Sequence, residues 1–314
     1  MTSRLDFRRW ARALLPALSL ALVLGAIAWL NPRVISYFGF TLMLNYAVPI
    51  ALATVAQMFA MTGNDIDLSI GTFVGFVCCV TATFLDDTPV LGLALLTLCV
   101  ALYAALGALI QWRNLPSIVV TLGMSFVWQG LAILLLPKPG GHAPAWLQAI
   151  MGYKPPYVPL PIVAAVIVAA IAWLGLMRTS HGAILRGVGG NATAISRAGW
   201  SLLGAKTILF GLVGFTGVLS GMALVGITRS ADANIGNGYT LLSIAGVILG
   251  GGEFVGGRVA PGGAVVGALT MTVAASFLTF MQIRPDWQIG AQGLILIVVL
   301  ALRALIDRLG SAAP

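Results

Sequence analysis

Polar chemistry is scarce in this chain and gathers in three places. The first is G-N-D-I-D-L-S-I-G at residues 63–71, where Asp65, Asp67 and Ser69 interrupt an apolar background. A carboxylate there can cap the following helix by accepting from its free N–H groups. At membrane depth it can instead border a solute path, at a cost on the order of 3 kcal/mol. The second is Thr121, Ser125 and Gln129, spaced i, i+4, i+8 on one helical face, with Asn45 and Gln57 on an earlier segment that contains Pro49. Such hydroxyls and amides hydrogen-bond neighbouring helices or line a pathway. The third is residues 178–206, with Arg178, Arg186, Arg197 and Lys206 and no carboxylate. Gly189, Gly190, Asn191 and Gly199 mark turns within it, and the stretch reads as a docking loop for a partner.

Catalytic patterns are missing. There is no G-x-S-x-G, no H-E-x-x-H and no inward chain of carboxylates for a proton relay. Residues 199–207, G-W-S-L-L-G-A-K-T, differ from a phosphate-binding loop by one inserted alanine, but they follow no strand and lead into an apolar span. His142 and His181 have no carboxylate or cysteine near them in sequence, so no metal site is expected, and no catalytic residue is assigned. Cys78, Cys79 and Cys99 are odd in number and sit in apolar runs, which fits packing rather than a disulfide framework.

The elements that must hold these groups are membrane helices. Charged residues are 8% and hydrophobic residues 59% of the chain, where a soluble domain is about 25% charged. Ten charge-free stretches are long enough, or nearly so, for a helix of about 20 residues to cross a bilayer. The expected fold is therefore an all-α polytopic membrane protein of about ten transmembrane helices, one membrane domain over residues 1–314. A cytoplasmic N-terminus puts twelve of the 17 Lys and Arg residues inside and five (Arg33, Lys138, Lys154, Arg229, Arg284) outside. The positive-inside rule selects that orientation, with the C-terminus and residues 178–206 also cytoplasmic. Residues 137–161, with Trp146, Tyr153 and Tyr157, fall on the outer side, where aromatic side chains suit the interface and a short surface helix fits. Arg8-Arg9-Trp10 before an apolar run resembles a signal peptide, but its removal would leave nine crossings, so retention is expected. The net charge of +8 is spread over short loops without interleaved aromatics, which argues against nucleic acid.

Pro49 is expected to kink the second span, and Pro116 to open the fifth helix with Asn114 as its cap. Gly217 and Gly221 form G-x-x-x-G, a close-packing pattern. Residues 51–75 and 244–267 echo one another, apolar helix then glycine and acid then apolar helix, as in transporters built from repeats. With few acids in the spans, ion coupling is disfavoured, and energy for uphill transport must come from a partner at the basic loop.

Residues 63–71, the glycine-rich residues 248–267 and residues 189–199 (G-G-N through R-A-G) together resemble the ribose-type permeases of ATP-binding-cassette importers. The resemblance covers most of the chain, in order and at suitable separations. It implies a transport subunit that pairs with a second permease copy or paralogue and binds two cytoplasmic ATPase domains. It implies also a small polar solute such as a monosaccharide, received from a periplasmic binding protein at the bacterial inner membrane. ATP and magnesium would sit on the ATPase, with no cofactor on this chain. Arg186, Gly189, Gly190, Asn191, Arg197 and Gly199 would form the ATPase-coupling element. Asn45, Gln57, Asp67, Ser69, Thr121, Ser125 and Gln129 are the pathway candidates. Asn64 and Asp65 replace the family's usual glycine, Thr193 and Ala194 its usual acid and alanine; related permeases also carry nucleosides and furanoside signals. The rival is a partner-independent transporter or channel.

Overall fold

The computed structural model describes residues 16–29, 32–254 and 256–282, with residues 284, 287, 290, 293, 294 and 297 beyond them. Its regular elements are helical, apart from an isolated bridge between Gly140 and Ala231. Lipid offers backbone groups no hydrogen bonds, and a helix satisfies them within itself. In order these are α1 (Pro16–Trp29), α2 (Tyr37–Met43), α3 (Ala47–Thr62), α4 (Ile70–Phe84), α5 (Pro89–Arg113), α6 (Ser117–Leu135), α7 (Ala145–Met151), α8 (Leu160–Trp173), α9 (Ser180–Arg197), α10 (Leu202–Thr228), α11 (Tyr239–Leu249) and α12 (Pro261–Phe280). A π-helical turn, Leu174–Arg178, extends α8.

Five helices are long and apolar enough to cross a membrane: α5, α6, α8 with its extension, α10 and α12. A sixth forms if α2 and α3, bent by 47° at their junction, count as one span. The remaining apolar helices, α1, α4 and α11, are shorter. Of the ten charge-free stretches, the last, after Asp286, lies largely outside the described residues, and the basic N-terminal residues and the C-terminus lie outside them altogether.

α10 is the central post, with α3, α4 and α5 packed along it. Glycines let them close in: Gly214 faces Tyr103 of α5, Gly217 faces Ile70 and Phe73 of α4, and Gly221 faces Val77. The G-x-x-x-G pattern therefore seats α4 on α10. At one end of the bundle α9 precedes α10; at the other, α7 rests on Gly226 through Leu147 and Met151.

Two helices begin inside the bundle rather than at its face. Asp65 lies beside Lys206 near the start of α10, whereas Ile70 lies beside Gly217, past its middle. Residues 65–69 thus climb through the interior between α3 and α4 without forming a helix of their own. From the other side, residues 231–238 turn in from the Gly140–Ala231 bridge until Gly236 touches the backbone of Gly71, and α11 starts there. The expected full-length third and eighth spans are therefore half-spans of 15 and 11 residues. Their charge-free stretches are long enough, but part of each is spent on unwound backbone.

Two other expectations are corrected. The second span breaks at Leu44–Asn45–Tyr46, ahead of Pro49, which sits in the first turn of α3, where a missing N–H costs nothing. Its freed geometry is used: Ser220 donates to the Pro49 carbonyl at 2.7 Å. Asn114 does not cap α6; it ends α5 in the left-handed conformation (φ 50°), and Pro116 precedes α6.

The echo between residues 51–75 and 244–267 has a local structural counterpart. α3 ends with Asp65 N–H donating to Ala60 O (3.2 Å) and Asn64 N–H to Met61 O (3.0 Å). α11 ends with Gly252 N–H donating to Val247 O (2.8 Å) and Gly251 N–H to Ile248 O (3.0 Å). Asn64 (φ 64°) and Gly251 (φ 88°) occupy the same left-handed position in the two turns.

Candidate functional site: a coupling junction and an uncharged cavity

The unwound residues 65–69 explain where the polar residues of the sequence go. Non-helical backbone at membrane depth is tolerated only if other groups bond it. Ile66 N–H donates to Ser117 Oγ (3.4 Å) and Leu68 N–H to Thr121 Oγ1 (3.1 Å). Thr121 passes its own proton to Ser117 O at 2.8 Å. Gln57 turns its carboxamide so that the nitrogen donates to Asp67 O (2.9 Å) and the oxygen accepts from Asp67 N–H (3.2 Å), as a neighbouring strand would. Asp67, 0% exposed, accepts from Ser69 N–H and Ser69 Oγ at 2.7 Å each and from the Tyr103 hydroxyl at 3.0 Å. Thr240 of α11 closes the set, its Oγ1 accepting from Gly71 N–H at 3.0 Å.

Gln57, Asp67, Ser69 and Thr121 are thus brought together as the scaffold of the unwound strand. Ser125 is apart from them and donates to Leu122 O at 2.6 Å. Gln129 reaches the other inward-turning segment, donating to Ala233 O (3.3 Å) and Asn234 Oδ1 (3.0 Å). The buried face of α6 runs through Ser117, Thr121, Trp128 and Ala132, so the i, i+4, i+8 stripe leaves it after its first member. Replacing Thr121 by valine leaves the Leu68 N–H unpaired in the interior. A loss of about 1–3 kcal/mol is expected, with Thr121→Ser close to the unaltered chain, by thermal unfolding in detergent.

The three motifs that carry the family resemblance meet at the α9 end. A side chain on Gly189 would overlap the Thr62 carbonyl oxygen and stand 2.8 Å from Gly257 Cα. Gly257 (φ 62°) has the Arg186 carbonyl 2.5 Å from where its own Cβ would be. Gly256 N–H donates to Asn64 Oδ1 at 3.2 Å. Asn191 breaks α9 (φ −156°, ψ 83°) and accepts from Ala194 N–H at 3.0 Å, so it caps a second short helical piece. That piece folds back, Ile195 lying against Gly187, and leaves Gly190–Asn191 and Ser196 to Trp200 exposed, Arg197 and Gly199 (φ 85°) among them. Arg186, half-buried, lines a hollow of about 610 Å³ between α9 and residues 251–260.

Lys206 corrects the reading of residues 178–206 as one exposed basic loop. It is 8% exposed, inside α10, and its ammonium pairs with Asp65 and donates to Gly63 O at 2.6 Å. Arg178 lies over the Trp173 ring at 4.6 Å. The exposed cation of the fold-back is Arg197.

An open cavity of about 670 Å³ lies toward the opposite end, among α2, α3, α10, α11 and α12. Asn45, Tyr46, Thr228, Tyr239, Thr272, Ser276 and Thr279 supply its polar groups, and among the described residues no charged side chain lines it. Of the pathway candidates, Asn45 alone is on this wall. It also lines a smaller cavity of about 120 Å³ beside Tyr37, Gly152 and Lys154. The other polar wall residues escaped sequence reasoning because threonine, serine and tyrosine in apolar helices commonly bond their own backbone, as Thr272 does to Ala268 O at 2.8 Å.

His142, isolated in sequence, is not isolated in space. Its N–H donates to Ala82 O at 3.0 Å, which sets Nε2 3.1 Å from Asp86 and 3.9 Å from Asp87. All three side chains are exposed.

An all-helical bundle with half-span helices, a glycine-lined junction against a protruding helical fold-back, and an uncharged cavity define a membrane transport component. The chain belongs to the family described as branched-chain amino acid transport system / permease component, whose model matches residues 39–300. It is similar to the autoinducer 2 import system permease protein LsrC of Yersinia pseudotuberculosis serotype O:1b, 28% identical over 96% of this chain and 87% of that protein. The LsrC protein of Photorhabdus luminescens is 25% identical over 96% of this chain and 93% of its own length. No solved structure matched the chain.

Proposed function

We propose that this chain is the permease subunit of an ATP-driven importer for a neutral, sugar-like solute delivered by a periplasmic binding protein. The observation that carries the reading is the junction where the Thr62 carbonyl, Gly189 and Gly257 meet backbone to backbone beneath the exposed fold-back of α9. A push on that fold-back is passed directly to the ends of α3 and α11. Such a device has a use only if a second protein docks there, and Arg197 is the polar contact offered to it.

The family description names amino acids and the LsrC relatives a signalling molecule. A cavity lined by no charged side chain among the described residues favours the second kind of cargo. An amino acid zwitterion would enter with two charges and no partners, which is costly in a low-dielectric site. A polyol brings neutral hydroxyls that match Asn45 and the wall hydroxyls.

In this reading the α9 end faces the cytoplasm and the α7 end the periplasm of the bacterial inner membrane, with about ten crossings and both termini inside. A second permease copy or paralogue completes the pathway and two ATPase domains bind the α9 faces. ATP and magnesium belong to those domains, and this chain binds no cofactor. The pathway runs past Asn45, with Gln57, Asp67, Ser69 and Thr121 positioning the unwound strand beside it.

Co-purification after mild detergent extraction is the test. The unaltered chain is expected to retain a nucleotide-binding subunit, and Arg197→Glu combined with Gly190→Pro to lose most of it. Gradient-driven uptake by the chain alone in liposomes, with no ATPase ever retained, would overturn the proposal.

A further inference from the structure

We infer that Tyr239 is the residue through which the cavity recognises its solute, its hydroxyl facing the ring of a neutral cyclic molecule. The inference rests on the importer reading and names the group that does the selecting.

Most polar groups on the wall have already used their protons. Thr228 donates to Leu224 O at 3.0 Å, Thr272 to Ala268 O at 2.8 Å and Ser276 to Met43 O at 2.7 Å. They offer an incoming molecule lone pairs only. The free donors are the amide of Asn45 and the phenols of Tyr46 and Tyr239, none of which bonds a side-chain or backbone partner among the described residues. Asn45 and Tyr46 are solvent-exposed, as any cavity-rim residue can be. Tyr239 differs: it is 8% exposed, so its ring is packed into the bundle, while its hydroxyl lines the cavity with no partner among the described residues.

Its mount is rigid. Tyr239 is the first residue of α11, its N–H donates to Gly236 O at 2.8 Å, and Gly236 is pressed against the Gly71 backbone. The next residue, Thr240, accepts from Gly71 N–H at 3.0 Å. The phenol is therefore fixed to the two half-spans, while Asn45 and Tyr46 belong to the break between α2 and α3. Tyrosine suits a cyclic polyol, since the ring covers apolar C–H faces and the hydroxyl bonds one solute oxygen. The wall lone pairs then accept from the solute hydroxyls. An amino acid would leave its carboxylate without a cationic partner.

Saturation-transfer NMR on the purified full chain in nanodiscs tests this directly, with D-ribose, D-galactose and L-leucine as probes, because it detects millimolar binding. Transfer to the ring protons of at least one sugar and none to leucine is expected. Tyr239→Phe keeps the aromatic face and should weaken the sugar signal about tenfold, the effect of one lost hydrogen bond with an unmet partner. Tyr46→Phe should weaken it less. An unchanged thermal midpoint for Tyr239→Phe separates recognition from folding. No transfer to either sugar, leucine as strong as the sugars, or an unaffected Tyr239→Phe would overturn the inference. Retention of the ATPase by the unaltered chain is scored separately, so failure of the importer reading is distinguishable from failure of this one.

Discussion

Replacing Lys206 by methionine is expected to destabilise the chain by about 3–5 kcal/mol, the cost of leaving a buried charge without its partner. Asp65 would remain 8% exposed in the bundle with its carboxylate facing apolar helices, and the Gly63 carbonyl would lose its donor as well. The double variant Lys206→Met with Asp65→Leu removes both charges together and should recover most of the loss, because apolar replacement of a buried pair is often neutral. Unfolding by SDS in mixed micelles measures all three chains. If the double variant is as unstable as Lys206→Met, the two residues are not acting as a pair. Exposed pairs such as Arg258–Glu253, 3.5 Å apart, should contribute little by comparison.

The second large effect is expected at Gly189. Alanine there puts a methyl group onto the Thr62 carbonyl oxygen, with Gly257 Cα close on the other side. Neither neighbour is a flexible side chain, so α9 must move away from α3 and from residues 256–257. A cost of about 1–3 kcal/mol is expected from overpacking. Uptake by the assembled importer should fall more than tenfold while the ATPase still co-purifies, since the exposed fold-back is untouched. Two controls sit in the same stretch. Gly190→Ala meets only Gly256 O at 3.3 Å and should be mild. Gly199→Ala has open space but a φ of 85°, so it should strain the turn by roughly 1–2 kcal/mol without moving α9. If Gly189→Ala transports normally, the junction does not transmit movement.

How much of this was legible follows from which signals are local. The membrane class, helicity and the close packing of Gly217 and Gly221 can be read from composition and spacing, because lipid imposes them segment by segment. The three glycine-bearing motifs were also legible as strings, but their meeting around Thr62 was not, since it joins residues far apart in the chain. Charge counting went wrong in an instructive way. It treated Lys206 as a loop cation because a lysine normally marks the end of a span, and a buried partner, Asp65, removes that rule. It also read full spans where α4 and α11 are half-spans, because a charge-free stretch does not reveal where its helix starts. Polar residues such as Gln57 and Thr121 stood out correctly as needing a reason. The reason, bonding an unwound strand at 2.9–3.2 Å, appears only once that strand is seen to pass through the interior.

The Asp65–Lys206 pair also bears on how the chain is made. Synthesis delivers Asp65 to the membrane well before Lys206 leaves the ribosome, so for a large part of translation the acid has no counter-charge. During that interval α3 and the strand after it are held only by neighbours already inserted, and residues 65–69 lack Ser117 and Thr121 as well until α6 arrives. A chain truncated between these points lacks the Lys206 ammonium that pairs with Asp65 in the complete fold. The counter-charge comes with the first turns of α10, so the pair can close only after α3, α4 and α5, the helices packed along α10, have been made.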